Sequence, residues 1–403
     1  MPASIKISLS VKMYDLLFLV VALSLYEIFI GGGGRFLEIG PLTLRMYIFF
    51  FLLAMGTFYI MIKGSIDKII LGLFCFFLLT IVVSTTFGII NNAELNLLFE
   101  DIKPLLYFMS ILYLHQVITY DNIPKIIRII KISGLILAVA YIILIILLMF
   151  QYLNYRKFYS FISTSKEVMF RGSEGLFFYK GFLYLNIAFF FYFFSKSAKS
   201  KLISFFVATA IVLTLTRGFI FSLAICLFFY FVFLNKNIYK KLGFILLSII
   251  GVVIYAIYII PLLGDKTISN SIRLTQIREV IDSTTIFSFF LGHGFGIGVP
   301  VRPIHMEISF LEIFHKQGLL GLMFWFSLFG IIVYYYGKIR TTSPSFNPDA
   351  FFIGTLFIYI QTFTNPFLNN PIGMTFVIIT LLVFKTIYQH TSHDFSLHSD
   401  IQR

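Results

Sequence analysis

The chain has 403 residues, of which 59% are hydrophobic, 19% aromatic and only 12% charged, and its mean hydropathy is +0.94. A soluble domain carries roughly 25% charged residues, so this chain has too few polar side chains to cover a water-soluble globule. The composition therefore excludes a soluble enzyme, a nucleic-acid binder and a disordered protein. It predicts a polytopic integral membrane protein, and the formal charge of +13 raises the question of which side each cation faces.

Apolar segments predict an all-α membrane protein with about 12 transmembrane helices. A spanning helix needs about 20 predominantly apolar residues. The predicted spans are 13–30, 43–62, 69–90, 102–119, 132–150, 181–195, 202–216, 218–234, 242–261, 317–337, 349–363 and 371–388. We therefore expect a single integral membrane domain over residues 1–403.

The basic residues predict the orientation of these helices. With both termini in the cytoplasm, the short inner loops and the termini hold 17 Lys and Arg residues. The short outer connections and the adjoining helix ends hold only 4. Because positive charge accumulates on the cytoplasmic side, the sequence predicts that both termini are cytoplasmic.

Two long outer loops, residues 151–180 and 262–306, depart from this pattern with net charges of +3 and +1. Long loops can cross a membrane regardless of charge; alternatively, their cations meet an anionic substrate, since Arg binds phosphate in a planar, bidentate manner. The second loop contains Asn270–Ser283, which predicts an amphipathic helix. Its apolar face would hold Ile272, Ile277, Val280 and Ile281, while Arg273, Gln276 and Arg278 would point elsewhere. Such a helix could lie on the bilayer surface or cap a cavity.

Five arginines on the predicted outer side are candidates for binding an anion. They are Arg171, Arg217, Arg273, Arg278 and Arg302. Arg217 stands between two apolar runs with almost no loop to solvate it, and Arg171 opens the sequence RGSEG just before the sixth predicted helix. Ionisable residues at membrane depth are expensive and by default suggest function.

The segment 301–321, VRPIHMEISFLEIFHKQGLLG, places ionisable residues at the start of an apolar helix. Glu307 has apolar neighbours on both sides, which suits a proton acceptor. The alternative is a salt bridge from Glu307 to Arg302 or Lys316. His305 could accept the proton instead of Glu307.

Other motifs, present or absent, limit the kinds of reaction that the chain can catalyse. The sequence FLGHGFGIG, residues 290–298, has alternating glycines that could form a phosphate cradle, although a flexible loop is an equally simple interpretation. There is no P-loop, no HExxH helix, no Cys/His metal spacing and no GxSxG turn in the sequence. We therefore expect no metal or other cofactor, and the substrate must supply the energy of the reaction.

The order of these motifs resembles that of the bacterial O-antigen polymerases and O-antigen ligases. The residues that carry the resemblance are Arg171 with Gly175, Thr216-Arg217-Gly218, the helix at Arg273–Asp282, the glycines of Gly292–Gly298, and Gly318-Leu-Leu-Gly321. Ligases of this family have a His eleven residues before the Gly-x-x-Gly, but here that position is Glu307, and His305 is two residues out of register. The polymerase branch is therefore favoured; a ligase is the alternative, and a polysaccharide transporter or flippase is a weaker one.

The resemblance implies a membrane glycosyltransferase-C-like fold and a metal-independent enzyme of lipopolysaccharide biosynthesis in the bacterial inner membrane. Such an enzyme joins polyprenyl-pyrophosphate-linked oligosaccharide repeat units at the periplasmic face and releases polyprenyl pyrophosphate. Arg217, Arg278 and Arg302 would bind the pyrophosphate, with Arg171 and Arg273 as helpers. Glu307 would orient or deprotonate the acceptor hydroxyl, with His305 as the second candidate, and a chain-length regulator protein would be a partner.

Overall fold

A computed structural model describes most of the chain, and it is built from helices. The described residues are 3–34, 38–39, 42–63, 66–164, 167–170, 177–254, 267–343 and 346–401. The first part of the chain contains α1 (Ala3–Ile30), β1 (Glu38–Ile39), β2 (Leu42–Thr43), α2 (Leu44–Lys63), α3 (Lys68–Ile90), α4 (Leu95–Leu105), α5 (Ile111–Val117) and α6 (Ile123–Met149). A 3₁₀ turn at Leu106–Ser110 joins α4 to α5. The predicted span 102–119 is therefore a broken helix, and the break follows Pro104, since an internal proline disrupts helical hydrogen bonding.

The middle of the chain contains the segment predicted to be the first long outer loop, and four apolar helices. Its elements are α7 (Tyr155–Ser163), β3 (Val168–Phe170), β4 (Phe177–Tyr179), α8 (Leu183–Phe193), α9 (Ala198–Leu213), α10 (Arg217–Phe229) and α11 (Ile238–Ile254). The strands β3 and β4 are antiparallel, with Met169 opposite Phe178. Within the described residues, the first long loop is therefore a short helix followed by a small hairpin.

The last part of the chain contains the second long loop and the longest helices. Its elements are α12 (Thr267–Ser283), α13 (Ile286–Leu291), α14 (Ser309–Thr342), α15 (Asp349–Gln361) and α16 (Pro371–Ile401). The helix α14 begins eight residues before the predicted start at 317. It is kinked at Gly318, where φ is +63° and ψ is −159°, a backbone conformation essentially restricted to glycine.

Each of the twelve predicted spans contains helical structure within the described residues, which include the span 242–261 only as far as residue 254. The chain is a multi-pass, all-α membrane protein. Among the described residues, seven helices are long and apolar enough to cross a membrane: Lys12–Ile30, Leu44–Lys63, Lys68–Ile90, Tyr120–Met149, Arg217–Leu234, Ser309–Thr342 and Pro371–Ser392. Lys180–Phe193 and Asp349–Gln361 are shorter apolar helices. The count of twelve spans and the orientation stay predictions.

The core of the bundle surrounds α16 and α8. Residues 371–385 of α16 are all buried, as are residues 181–192 in and before α8. α16 packs against α14 and α15, and α8 packs against α6, α9 and α15. A helix that is apolar on every side is expected in the centre of such a bundle, and α10 packs against α8 while α14 packs against α16.

Cysteine labelling tests the predicted orientation. In a Cys75→Ser background, Ser160→Cys on α7 should react with a membrane-impermeant thiol reagent in intact cells. Lys199→Cys at the start of α9 should react only after the membrane is permeabilised; both positions are exposed. Labelling of position 199 from outside would contradict the orientation.

Candidate functional site

Glu307, just before α14, is bound by two arginines. Its carboxylate accepts hydrogen bonds from Arg273 Nε at 2.9 Å and from Arg302 Nη2 at 2.7 Å. The three side chains are between about a quarter and two-fifths exposed, at 27% for Glu307, 34% for Arg273 and 40% for Arg302. Two guanidinium groups against one carboxylate leave a net charge of +1 in a place that a ligand can reach. The sequence left open a salt bridge from Glu307 to Arg302 or Lys316, and the structure contains the one to Arg302.

The helix α12 holds the segment that carries these residues. Glu279 Oε2 accepts the Val301 N–H at 3.0 Å, and Gln276 Oε1 accepts the Glu307 N–H at 3.3 Å. Buried backbone N–H groups need acceptors, and these two side chains supply them. Together with the Arg273 contact, they fix the segment 299–307 against one face of α12.

The amphipathic helix predicted at 270–283 is confirmed as a helix, but its buried face differs from the prediction. Gln276, expected to point away from the apolar face, is fully buried together with Val280. Ile281, expected on the buried face, is 65% exposed. The reason is that the face packed on the loop must supply hydrogen-bond acceptors to that loop, a demand that hydrophobic periodicity does not report.

A second group of ionisable residues, Asp101, His305, Glu312 and Lys316, lies beside the first, and we refer to it as the Lys316 cluster. Lys316 Nζ donates to Asp101 Oδ1 at 2.7 Å and to Glu312 Oε1 at 2.9 Å. His305 Nδ1 lies 3.7 Å from Asp101 Oδ1 and 3.6 Å from Glu312 Oε1. Asp101, Glu312 and Lys316 are buried, whereas the His305 side chain is 46% exposed. The imidazole therefore forms the exposed side of an otherwise buried ionic network.

Hydrogen bonds between the Lys316 cluster and the residues around it connect several elements of the fold. Asp101 Oδ2 accepts the Gly296 N–H at 2.7 Å, and Glu312 Oε2 accepts from Asn369 Nδ2 at 2.9 Å. The four residues of the Lys316 cluster and Asn369 also line a cavity of about 30 Å³, room for one or two water molecules. Burial raises the pKa of the Asp101 carboxyl, while the Lys316 ammonium and the Gly296 N–H act in the opposite direction. The charge of Asp101 thus depends on Lys316.

Three members of the cluster have the donor atoms of a metal site. Asp101, His305 and Glu312 each offer one ligand atom, and these atoms lie within 4.8 Å of one another. However, the Lys316 ammonium already lies between the two carboxylates and supplies the positive charge that a divalent ion would bring. The set as arranged does not fit a metal ion, and no step of the mechanism is assigned to one.

The glycine-containing segment 290–298 is hydrogen-bonded to the rest of the protein through its backbone. The four consecutive N–H groups of residues 293–296 donate to His315 O, Lys316 O, Ser84 O and Asp101 Oδ2 at 2.8, 3.0, 2.9 and 2.7 Å. The interpretations as a phosphate cradle and as a flexible loop are both wrong, because these donors are used within the protein. The glycines are needed for close approach: at Gly294, where φ is +94°, an added Cβ would lie 1.9 Å from Gly88 N.

Arg217 is the first residue of α10 and is half-buried. The first turn of α10 is held by α15, since Gln361 Nε2 donates to Gly218 O and to Ser222 Oγ. The loop after α15 also contacts the start of α14, where Ser309 Oγ donates to Asn365 O at 3.3 Å. The beginning of α10, which carries Arg217, is therefore attached to the last residue of α15, and the beginning of α14, which follows Glu307, is attached to the loop after it.

Two predicted site residues, Arg278 and Arg171, do not belong to the groups described above. Arg278 is exposed on α12 and forms no ion pair with the described residues, and Arg171 lies outside them. The sequence interpretation missed Asp101 and Asn369. A carboxylate such as Asp101 beside an apolar run is costly in a membrane protein, and that signal could have identified it.

Comparison with known proteins agrees with the family resemblance that the motifs indicate. No family model matches the chain. The chain is 29% identical over 373 residues to an O-antigen polymerase of Shigella flexneri, an alignment that covers 89% of this chain and 92% of the relative. This similarity confirms the resemblance to the O-antigen polymerases.

Proposed function

We propose that the chain is an O-antigen polymerase of the bacterial inner membrane that joins polyprenyl-pyrophosphate-linked repeat units at the periplasmic face. The similarity to the Shigella flexneri polymerase supports the reaction class. We place the active site at the Glu307 carboxylate because two arginines, Arg273 and Arg302, bind it. A ligase, which would transfer the glycan to lipid A core, is the second candidate.

The reaction is a displacement at an anomeric carbon. A hydroxyl oxygen at the non-reducing end of one lipid-linked unit attacks the anomeric carbon of the glycan on a second lipid. The new glycosidic C–O bond forms, and the bond from the anomeric carbon to the phosphate oxygen breaks. Polyprenyl pyrophosphate leaves with the bonding electrons, and the hydroxyl proton passes to a base on the protein.

The protein must stabilise the negative charge that grows on the leaving group. A guanidinium has five N–H donors, so one carboxylate cannot use all the donors of Arg273 and Arg302. Arg302 Nε is buried and has no hydrogen-bond partner among the described residues, so part of the donor capacity of this guanidinium is unused. Arg217 at the start of α10 also has the helix N-terminus beside it, which favours an anion, and Arg278 and Arg171 complete the proposed set.

Glu307 is the proposed base that takes the proton of the acceptor hydroxyl. Its ion pairs can control when the carboxylate oxygens are available for this step. Both carboxylate oxygens accept from arginines in the structure. A pyrophosphate that binds the same guanidinium groups competes with the carboxylate and releases its oxygens for the acceptor hydroxyl. The base thus becomes available when the donor is bound. His305, exposed and flanked by two carboxylates, is the second candidate.

The direct test uses purified protein and a purified polyprenyl-pyrophosphate-linked repeat unit. The proposal expects longer glycans to appear together with free polyprenyl pyrophosphate, without any other protein. Transfer to added lipid A core, with no chain extension, would favour the ligase instead. The absence of both products would overturn the proposed function.

Arginine-to-lysine substitutions test the proposed role of Arg217. Arg217→Lys keeps the charge but loses the bidentate fork, so polymer length should collapse while the protein inserts normally. Arg156→Lys, at an exposed position on α7, should have little effect. The measurement is the length distribution of surface polysaccharide on gels, and equal tolerance at the two positions would remove Arg217 from the site.

A further inference from the structure

Lys316 on α14 is a buried lysine whose ammonium group uses all three of its donors. Besides the Asp101 and Glu312 carboxylates, it donates to the carbonyl oxygen of Ile304 at 2.7 Å. Its side chain is 3% exposed, so water does not replace these partners. A buried ammonium is tolerated when each N–H is paired with good geometry. The Ile304 bond is therefore part of a complete set, and it connects the end of α14's first segment, just before the kink at Gly318, to the loop before that helix.

That loop is the segment 299–307, which carries Arg302, His305 and Glu307. Contacts with α12 fix the segment near its beginning and at its end, at Val301 and at Glu307. Between them, the backbone of residues 303–306 makes one hydrogen bond to the described part of the chain, and the donor is Lys316. The ammonium group thus supplies the backbone hydrogen bond in the middle of the segment, next to the buried side chain of Met306, which packs with Val280 and Val299.

The partners of Lys316 make this contact rigid. Asp101 is also bonded to the Gly296 N–H, and Glu312 to Asn369 on the loop after α15. Loss of the ammonium would leave two buried carboxylates facing each other without a counter-charge, a situation that proteins avoid. The cluster therefore keeps Lys316 charged and in place, and through it the segment 299–307.

We propose that Lys316, held by Asp101 and Glu312, is a positioning residue for glycosyl transfer that fixes Arg302, His305 and Glu307 relative to α14. This inference rests on the proposed function. Lys316 touches no substrate in this scheme and acts through the Ile304 carbonyl. Small misplacements of reacting groups can reduce rates by as much as about 100-fold, so the rate of transfer should depend on this contact.

The experiment compares two ion pairs in purified protein, each formed by a buried lysine and an aspartate. The test variant is Lys316→Gln with Asp101→Asn, which removes one charge of each sign. The matched control is Lys385→Gln with Asp67→Asn, since Lys385 is also 3% exposed and lies 2.9 Å from Asp67, at the end of the bundle away from the segment 299–307. For each protein, chain extension is measured against substrate concentration, together with the apparent melting temperature and hydrogen exchange in residues 299–307.

The proposal expects kcat per folded molecule to fall roughly 10- to 100-fold in the Lys316 pair variant, with a much smaller change in KM and faster exchange in residues 299–307. The Lys385 pair variant should lose thermal stability but keep wild-type kcat. Wild-type kcat in the Lys316 pair variant, or an equal loss of kcat in the control, would overturn the positioning role. If wild-type protein itself extends no chains, the proposed function fails instead, so the two failures are distinguishable.

A milder variant keeps the inference testable if the Lys316 pair variant does not fold. Lys316→Arg retains the charge, and the adjacent cavity gives room for the larger head group. A planar guanidinium cannot reproduce three donors on a single nitrogen, so the bond to Ile304 should change while the ion pairs survive. The expected result is a kcat reduced by roughly 10-fold with a near-normal melting temperature; an unchanged kcat would contradict the proposal.

Discussion

Glu307→Gln is expected to reduce the rate of chain extension by about 10²- to 10⁴-fold, the usual effect of losing a general base. The amide keeps the shape of the side chain, but it has one acceptor oxygen where the carboxylate uses two, one for Arg273 and one for Arg302. It also cannot take the proton of the acceptor hydroxyl. Cells that carry the variant should therefore display single repeat units and almost no long chains. Since the arginines lose their competing carboxylate, binding of the lipid-linked donor should be retained.

The measurement is in vitro chain extension at equal amounts of folded protein. Glu279→Gln is the matched control, because Glu279 also lies on this loop's contact surface and accepts a backbone N–H, which the amide oxygen can still do. Its rate should stay close to that of the wild type. A wild-type rate in Glu307→Gln would exclude Glu307 as the base, and a large loss in His305→Gln would then identify His305 in its place.

Gly318→Ala is expected to destabilise the protein strongly, while Gly330→Ala in the same helix should not. At Gly318 an added Cβ would lie 2.5 Å from the backbone nitrogens of Leu291 and Gly292, and φ is +63°. The backbone conformation alone costs of order 1–3 kcal/mol for a residue with a side chain, and the clash adds to this. At Gly330 nothing lies within 4 Å of an added Cβ, and alanine favours a helix interior by roughly 0.5–1 kcal/mol over glycine.

The check is the apparent melting temperature of the two variants in detergent. Gly318→Ala should melt well below the wild type and Gly330→Ala at or slightly above it. Chain extension should also fall in Gly318→Ala, because the kink holds the glycine connection on which Asp101 and Lys316 are arranged. Equal melting temperatures for the two variants would show that the kink is not a constraint.

Features that depend on a single stretch of chain were predictable from the sequence alone. Apolar length and composition identified a multi-pass helical membrane protein, since a spanning helix satisfies its own backbone hydrogen bonds. The apolar helix predicted from residue 317 is present, but it begins at Ser309 and is kinked at Gly318, which the sequence did not predict. Arg217 was expected at a helix junction, and it begins α10. The ion pair of Glu307 with Arg302, five residues apart, was among the alternatives that the sequence left open.

Only the tertiary structure decided which distant residues meet. Asp101 and Lys316 are 215 positions apart in the chain, and Asn369 lies 57 positions after Glu312, so no local pattern links them. The glycine run has an acceptor for each N–H of residues 293–296 because α3, α4 and α14 converge on it. Gln276 is buried because a loop more than twenty residues later needs its oxygen. Hydrophobic periodicity reports how much apolar surface a helix must bury, whereas the partners of polar groups depend on how the helices pack, which in this protein brings the ionisable residues together at the start of α14.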